Sequence, residues 1–244
     1  NRNNVHIANV INTVLKSYVS KHLIYDKNFI ENVIKIAAIP PSMIGYKKDP
    51  IKLSEGEVRF YTKSKNFEFS NFYPFHPSYM RTKKFENVKN FSFEYDGHSW
   101  KTVEHAYQAH KFMQPGASQK NFEYAEYIKN APTAGLAAKL GNVSLIGINL
   151  YKGGKEYANI IKKYRNDVKI RDDWEDVKLD IMIKLVKAKF DQHEYLRKLL
   201  LQTDNKKLIE ASPRDYFWGE GKDKTGKNYL GRILMNLRWH YTPK

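Results

Sequence analysis

The chain has 244 residues, no cysteine and a formal net charge of +16. Its length supports one large or two small domains with a sizeable core, and the lack of cysteine excludes disulfides, a thiol nucleophile and cysteine-bound zinc. No apolar run approaches the roughly 20 residues of a membrane span, and the first residues lack a signal peptide's apolar stretch, so we expect an intracellular, cytoplasmic protein without a membrane partner.

Most of the positive charge lies in the second part of the chain, since residues 1–58 hold only 8 of the 42 Lys and Arg residues. A polyanionic or phosphorylated partner explains this excess. An AT-rich coding sequence explains it equally well, because Lys, Asn, Ile and Tyr are all frequent. Charge alone leaves both explanations open.

Residues 1–57 are predicted to form a helical N-terminal extension. Apolar side chains recur at helical spacing over 5–20 and 27–38, and Pro40 then ends any helix. The extension carries no chemical motif. The main body is expected to span residues 58–244.

The main body is predicted to begin with β-structure. Residues 57–61 form a candidate strand. Phe93 and Tyr95 alternate with polar neighbours, which is typical of a strand, and the pair Asp96-Gly97 predicts a turn that leads back to Trp100.

Helices dominate the rest of the sequence. The first is predicted over 100–112, with Thr102 as its N-cap. Later helices are predicted at 118–129, 132–140, 155–164, 174–190, 194–201 and 230–238, with a short strand at 208–211 and a glycine-containing loop at 212–228. The predicted fold is α+β: a helix-rich single domain with a small β-sheet, plus the N-terminal extension.

Three polar residues of the first helix share one face. Glu104, Gln108 and Lys111 are spaced i, i+4 and i+7. Capping by Thr102 places Glu104 in the first turn, where the helix dipole favours its ionised form. A charged carboxylate beside an amine can stabilise a cationic sugar transition state. A solvated polar face is the alternative interpretation.

The loop at 212–228 offers further polar and aromatic groups. Asp215 supplies a carboxylate, Trp218 a face that can stack a heterocycle, and Gly219 a position where main chain can approach a ligand. A packed turn with Trp218 in the core is the alternative. Asn71, in the aromatic segment 69–75, is either a ligand hydrogen-bond partner or a turn cap.

Metal and cofactor signals are missing from the sequence. It contains no G-x-G-x-x-G, P-loop, H-E-x-x-H or G-x-S-x-G motif. His105 and His110 are five residues apart and therefore lie on different faces of a helix. We expect no zinc site and no other cofactor.

Seven segments, taken in order, resemble the NADAR/YbiA-like family of NAD- and ADP-ribose-associated proteins. They are FSNFYPF (69–75), WKTVEHAYQAHKF (100–112), PTAGLAAKLG (132–141), RDDWEDVKLDIMIKLVKAKFDQH (171–193), LRKLLLQTDNKKLIEAS (196–212), RDYFWGEG (214–221) and GKNYLGRILMNLR (226–238). Together they cover about residues 60–240. Family members often have a T-G-D turn where this chain has Thr203-Asp204-Asn205, and the segments at 76–95 and 142–170 look longer than in compact bacterial relatives.

The resemblance implies an enzyme that hydrolyses N-glycosidic bonds. One substrate class of the family is ADP-ribose attached to guanine in DNA or RNA, and the other is a phosphoribosylamino-pyrimidine intermediate of riboflavin synthesis. Both join C1 of a phosphorylated ribose to an exocyclic nitrogen. A non-catalytic reader of ADP-ribose is the alternative. The expected partner is therefore ADP-ribosylated nucleic acid or a phosphoribosyl metabolite.

With that chemistry, the candidate catalytic residues are Glu104, Lys111 and Asp215. Glu104 would stabilise the oxocarbenium-like state or act as general base. Lys111 is either a nucleophile that opens the sugar as a Schiff base or a charge partner. Asp215 is a second acid/base candidate or a ligand of the ribose hydroxyls.

The remaining site residues are expected to bind the substrate. Trp218 would stack the base or adenine, and Asn71 and Asn228 would position polar groups of the ligand. Arg238 would bind pyrophosphate, or else compensate the dipole at the end of its helix. The other binding candidates are Gln108 and Gly219, with Lys189 as a secondary lysine and Trp174 as a core anchor.

Overall fold

The computed structural model describes residues 55–61, 66–74, 91–142, 155–164 and 166–243. These residues lie in one compact unit, Ile51–Lys244. The helices expected within residues 1–57 lie outside the described residues, as do most of segment 76–95, much of 142–170 and Phe75. Those expectations stay predictions.

The described residues form four strands, seven α-helices and one 3-10 turn at Phe67–Phe69. In chain order the elements are β1 (Glu57–Phe60), β2 (Phe93–Tyr95), β3 (His98–Trp100), α1 (Val103–Ala109), α2 (Gln119–Asn130), α3 (Ala134–Leu140), α4 (Lys155–Tyr164), α5 (Trp174–Gln192), α6 (Glu194–Leu201), β4 (Lys207–Glu210) and α7 (Tyr229–Tyr241). The predicted α+β class is confirmed.

The β-structure of the described residues consists of two separate pairs of strands. β2 and β3 form the predicted antiparallel hairpin, and Asp96 and Gly97 turn the chain with positive φ angles of 53° and 72°, as a two-residue hairpin requires. β1 and β4 pair in parallel, with Phe60 opposite Glu210. The carboxyl ends of both strands therefore lie at one edge, where Glu210 leads into the loop at 212–228.

Helix α1 lies at the centre of the packing. It contacts α2, α3 and α5, and every one of its seven residues is buried. Glu104 and Gln108 are each only 8% exposed. The solvated-face interpretation of this stripe is therefore wrong, because a helix enclosed on all sides has no face left for water.

The first helix is shorter than the predicted span of 100–112. Residues up to Trp100 belong to β3, and the helix ends at Ala109 with His110 as its C-cap. The peptide NH of Phe112 then bonds to the Ala109 carbonyl, and the Lys111 carbonyl accepts from the NH of Arg171 at 2.9 Å. Lys111 is thus placed by a turn that is fixed to the start of α5.

Candidate functional site

The start of α1 positions the Glu104 carboxylate. The Thr102 hydroxyl accepts the peptide NH of His105 at 3.2 Å, which is the predicted cap. The NH of Glu104 itself donates to the Asn71 carbonyl at 3.1 Å. The backbone of Glu104 is thereby tied to the Phe67–Phe69 turn region as well as to its own helix.

The Glu104 carboxyl is buried and has one hydrogen-bond donor among the described side chains. Gln108 Nε2 donates to Glu104 Oε1 at 2.8 Å. Burial raises the pKa of Glu104 to about 7, although the Gln108 hydrogen bond and the Lys111 charge act in the opposite direction. Such a group titrates at neutral pH, where general acid–base catalysis is most effective.

Gly141, the C-cap of α3, holds two members of the site. A Cβ at this position would lie 1.9 Å from Gln108 Oε1, so the Gln108 amide occupies the space that a side chain would need. The Gly141 carbonyl accepts Lys111 Nζ at 3.1 Å. Sequence reasoning did not single out Gly141, because its importance depends on how closely α3 packs against α1.

Lys111 lies between two aromatic faces. Its Nζ is 5.8 Å from the centre of the Tyr107 ring and 5.6 Å from that of Trp174. Burial lowers the pKa of Lys111, while Glu104 and then Glu175 raise it. Trp174 is buried and packs on Tyr107 at 4.9 Å between ring centres, so the residue expected as a core anchor also forms a wall of the site.

The loop at 212–228 brings Asp215 and Trp218 close to Glu104 and Tyr107 of α1. Asp215 Oδ1 accepts the peptide NH groups of Phe217 at 2.9 Å and of Trp218 at 2.7 Å, which fixes the turn. The half-buried Trp218 ring stands perpendicular to Tyr107 at 5.5 Å. Asp215 is close enough to contribute to the raised pKa of Glu104, so the loop carboxylate and α1 form one cluster.

Glu210 is the residue of this cluster that sequence reasoning missed. It ends β4, is 6% exposed, and has its peptide NH bound by Asn228 Oδ1 at 2.9 Å. Burial raises the pKa of Glu210 to about 8, with further contributions from the charges of Asp215 and Glu104. The only sequence signal was a lone acidic residue at the end of an apolar strand.

Gly219 and Asn228 hold the backbone of Glu210 and the loop at 212–228 in position. A Cβ on Gly219 would meet the carbonyl oxygens of Glu210 at 2.9 Å and Asp215 at 3.0 Å. Asn228 has a left-handed backbone, and its amide bonds both the Glu210 NH and the Leu208 carbonyl, the latter at 2.8 Å. Gly219 thus allows a close approach between two stretches of main chain, and both ends of the Asn228 amide are bonded by β4. The approach of Gly219 to a ligand stays a prediction.

Asn71 and Lys189 contact the segment that precedes α1 and the long helix α5. The Asn71 amide is buried and its Nδ2 points to Met182 Sδ at 3.4 Å. Lys189 is 1% exposed, with Nζ at 3.5 Å from the Ser70 carbonyl and 3.4 Å from that of Tyr73. Burial lowers the pKa of Lys189 to about 7. Both side chains hold the segment whose carbonyl anchors Glu104.

The structure does not bring Arg238 to the cluster. Its Nη1 donates to Thr203 Oγ1 at 2.7 Å and to the Lys206 carbonyl at 2.8 Å, at the start of β4. Asn228 and Arg238 are ten residues apart on α7, which corresponds to about 15 Å along a helix. The guanidinium therefore stabilises the α6–β4 connection, and its role as a pyrophosphate ligand stays a prediction.

Within the part of the chain that the structure describes, no three His, Asp or Glu side chains are arranged to hold a metal ion. In the same residues, no helix is both long and apolar enough to cross a membrane. The site therefore consists of three carboxyl groups, one amine and aromatic walls. Such groups can stabilise a cationic sugar, transfer protons and stack a heterocycle.

Comparison with known proteins places the chain in a family. The family model described as "NADAR domain" matches residues 59–241. The chain is 34% identical over 86% of its length to the maize (Zea mays) "Riboflavin biosynthesis protein PYRR, chloroplastic", of which the match spans only 30%. It is 36% identical over 63% of its length to "N-glycosidase YbiA" of Shigella boydii, where the match covers 78% of that protein.

A solved structure agrees with these matches. The NMR structure of the E. coli protein YbiA superposes with a TM-score of 0.53 at 30% identity, over 78% of this chain and 86% of that one. Residues 59–241, which match the family model, contain every residue of the site described above. The chain belongs to the NADAR domain family.

Proposed function

We propose that this protein is an N-glycosidase that removes ADP-ribose from guanine in DNA or RNA. The cluster of Glu104, Glu210 and Asp215 beside Lys111 carries the proposal, because cleavage of an N-glycosidic bond needs a carboxylate near C1 and a proton for the leaving nitrogen. The N-glycosidase activity in the printed name of its Shigella relative supports the reaction type, and the net charge of +16 supports a nucleic-acid substrate.

Glu104 and Glu210 take complementary roles in the proposed mechanism. Glu104, whose carboxylate accepts a hydrogen bond from Gln108, stabilises the positive charge that develops as the bond from C1 to the base nitrogen breaks. Glu210, which has no hydrogen bond or ion pair from its carboxyl to other described residues, retains its proton to a higher pH and donates it to the leaving nitrogen. Asp215 binds the ribose hydroxyls, and Trp218 stacks the base.

Lys111 acts as the nucleophile in this scheme. Its uncharged amine attacks C1 as the base leaves with the proton from Glu210. Proton transfer from Nζ to the ring oxygen then opens the sugar and leaves an imine between C1 and Nζ. Water hydrolyses the imine, which releases the ribose and regenerates the amine. Burial of Lys111 favours the uncharged amine that this step needs.

The test is hydrolysis of an oligonucleotide that carries ADP-ribosyl-guanine, followed by mass spectrometry. Wild type should remove the ADP-ribose mass, and Glu104→Gln should be about 100-fold slower or worse, since one lost electrostatic contact at a transition state has effects of that size. Glu126→Gln, an exposed position on α2, is the matched control and should retain full rate. An unchanged substrate with wild type would refute the proposal.

A phosphoribosylamino-pyrimidine is the second candidate substrate. The observation that favours it is the maize relative, whose name refers to riboflavin biosynthesis. If wild type leaves the oligonucleotide intact but releases the pyrimidine from this metabolite, the second candidate is correct. Binding of ADP-ribose without turnover, and without loss in Glu104→Gln, would instead identify a reader.

A further inference from the structure

The acidic and basic side chains of the loop at 212–228 differ in their contacts and in their exposure to solvent. Its three acidic residues are all engaged: Asp215 by two peptide NH groups, Glu220 by an ion pair with Arg59, and Asp223 by the NH and hydroxyl of Thr225. Glu220 is buried and neutralised by Arg59, and Asp215 is half-buried, so Asp223 is the one acidic side chain of this loop that is exposed.

The four basic residues of the loop are directed to solvent. All of them are exposed, and none makes an ion pair with another described residue; they are Arg214, Lys222, Lys224 and Lys227. The loop is close to neutral by composition, with four basic and three acidic residues. It nevertheless presents a positive surface, because all four basic side chains are exposed and only one acidic side chain, Asp223, is exposed.

One exposed and two half-buried aromatic residues lie among these cations and lead into the site. Tyr216 is 46% exposed, and the Phe217 ring has Lys178 Nζ at 4.1 Å and Lys227 Nζ at 5.4 Å from its centre. Phe217 contacts Trp218 at 4.7 Å between ring centres. Three consecutive aromatic residues therefore connect solvent with the wall of the catalytic cluster.

The surface is rigid before any ligand arrives. The peptide NH of Lys227 donates to the Tyr216 carbonyl at 2.8 Å, and that of Tyr229 donates to the Phe217 carbonyl at 3.1 Å. The Tyr216 ring lies against Gly221, where a Cβ would be 2.4 Å from the ring. A platform fixed in this way loses little conformational entropy on binding.

We propose that Tyr216, Phe217, Lys224 and Lys227, called the rim surface below, bind the single-stranded nucleic acid that flanks the modified base. Bases stack on aromatic rings whatever their identity, and lysines beside them bind the backbone phosphates. A free phosphoribosyl metabolite has no flanking nucleotides that could occupy this surface. The inference rests on the proposed function and specifies its substrate as a strand.

The experiment compares two substrates that share the scissile bond. One is ADP-ribosyl-guanosine, and the other is the same nucleoside within a single strand of about ten nucleotides, the size of many single-strand sites. The double variant Lys224→Ala/Lys227→Ala should lower kcat/KM for the strand about tenfold through KM, and its salt dependence should be shallower by about 0.7 per lost phosphate contact. Its kcat/KM for the monomer should equal that of wild type.

Matched surface variants separate the rim surface from general charge or fold effects. Lys198→Ala removes an exposed lysine from α6, and Tyr195→Ala removes a ring that is 48% exposed, close to the 46% of Tyr216. Both should process strand and monomer as wild type does. Tyr216→Ala should weaken the strand reaction about tenfold, as expected for one lost stacking contact.

Two kinds of result would overturn the inference. Equal losses on strand and monomer, or equal effects of rim and control variants, would show that the rim surface does not contact the flanking nucleotides. A duplex that carries the same modified base is a further substrate. Equal kcat/KM for this duplex and for the single strand would show that the rim surface does not recognise single-stranded nucleotides. If neither substrate is cleaved, the proposed function fails. Fluorescence anisotropy with an unmodified single strand then tests the rim surface alone: wild type should bind the strand more tightly than the double variant, and equal affinities would refute the inference.

Discussion

Two buried carboxyl groups of the site differ in what surrounds them. Burial raises the pKa of Glu104 to about 7, although the hydrogen bond from Gln108 and the Lys111 charge lower it. Burial raises the pKa of Glu210 to about 8, and the like charges of Asp215 and Glu104 act in the same direction. The hydrogen bond and the nearby cation favour the ionised form of Glu104, and the neighbouring carboxylates favour the protonated form of Glu210, so we assign the base to Glu104 and the acid to Glu210.

Lys111 can be tested for a covalent role directly. Turnover of the ADP-ribosylated strand in the presence of cyanoborohydride should reduce the imine and leave a stable adduct on Lys111, identified by peptide mass spectrometry. The reason is that burial lowers the pKa of this amine and so favours its nucleophilic form. Lys178, a half-buried lysine of α5 that is paired with Glu175, should remain unmodified.

The contrary result has an equally specific meaning. If no adduct forms while Lys111→Ala still abolishes hydrolysis, the amine is the charge partner of Glu104. Its position between the Tyr107 and Trp174 rings, which stabilises a cation, would then be its main function.

At the scale of the element, the contact between α1 and α3 depends on one glycine. Gly141→Ala should displace the Gln108 amide, since the added Cβ would lie 1.9 Å from its Oε1. Loss of the Gln108–Glu104 hydrogen bond should reduce kcat about tenfold, in line with a hydrogen bond to a charged group. It should also raise the pKa of Glu104, so the rise of activity with pH should move to higher pH.

The control for this variant lies on the same helix. A Cβ on Gly135 would meet only Thr133 Oγ1, at 4.0 Å. Gly135→Ala should therefore retain activity and the wild-type pH profile, with a small gain in stability from better helix propensity. If both variants behave alike, Gly141 does not position Gln108.

The same element scale shows what the sequence could predict. Periodicity and caps predicted the seven helices of the described residues, and Thr102 and Glu104 occupy their expected positions. The end of α1 was misjudged, because Lys111 is held by Arg171, a partner sixty residues away. Glu210 was missed because its proximity to Glu104 depends on the β1–β4 pairing, and local sequence carries no record of that pairing.

At the scale of the whole molecule, buried ionisable groups make stability depend on pH. Glu210 ionises at about 4.5 when unfolded and at about 8 when folded. The folded state thus holds a proton that the unfolded state releases, so this contribution is fully present below pH 4.5 and is lost as pH rises towards 8. Lys189 has the opposite effect, because its pKa is about 7 in the folded state and 10.5 in the unfolded state. The folded state loses this proton first, so the contribution of Lys189 to stability increases between pH 7 and pH 10.5.

A comparison of wild type with Glu210→Gln isolates the contribution of Glu210, because both proteins keep Lys189 and Glu104. Glutamine cannot ionise, so the variant should gain free energy of unfolding relative to wild type between pH 5 and pH 8. The gain should be on the order of 3 kcal/mol, at about 1.4 kcal/mol per unit of pKa difference. Urea unfolding at the two pH values measures this gain, with Glu126→Gln as the exposed control.

Glu210→Gln should also be nearly inactive, because it has lost the acid that protonates the leaving nitrogen. A difference between Glu210→Gln and wild type that is the same at pH 5 and pH 8 would mean that Glu210 is already ionised in the folded protein, and the proton donor would then have to be sought at Asp215.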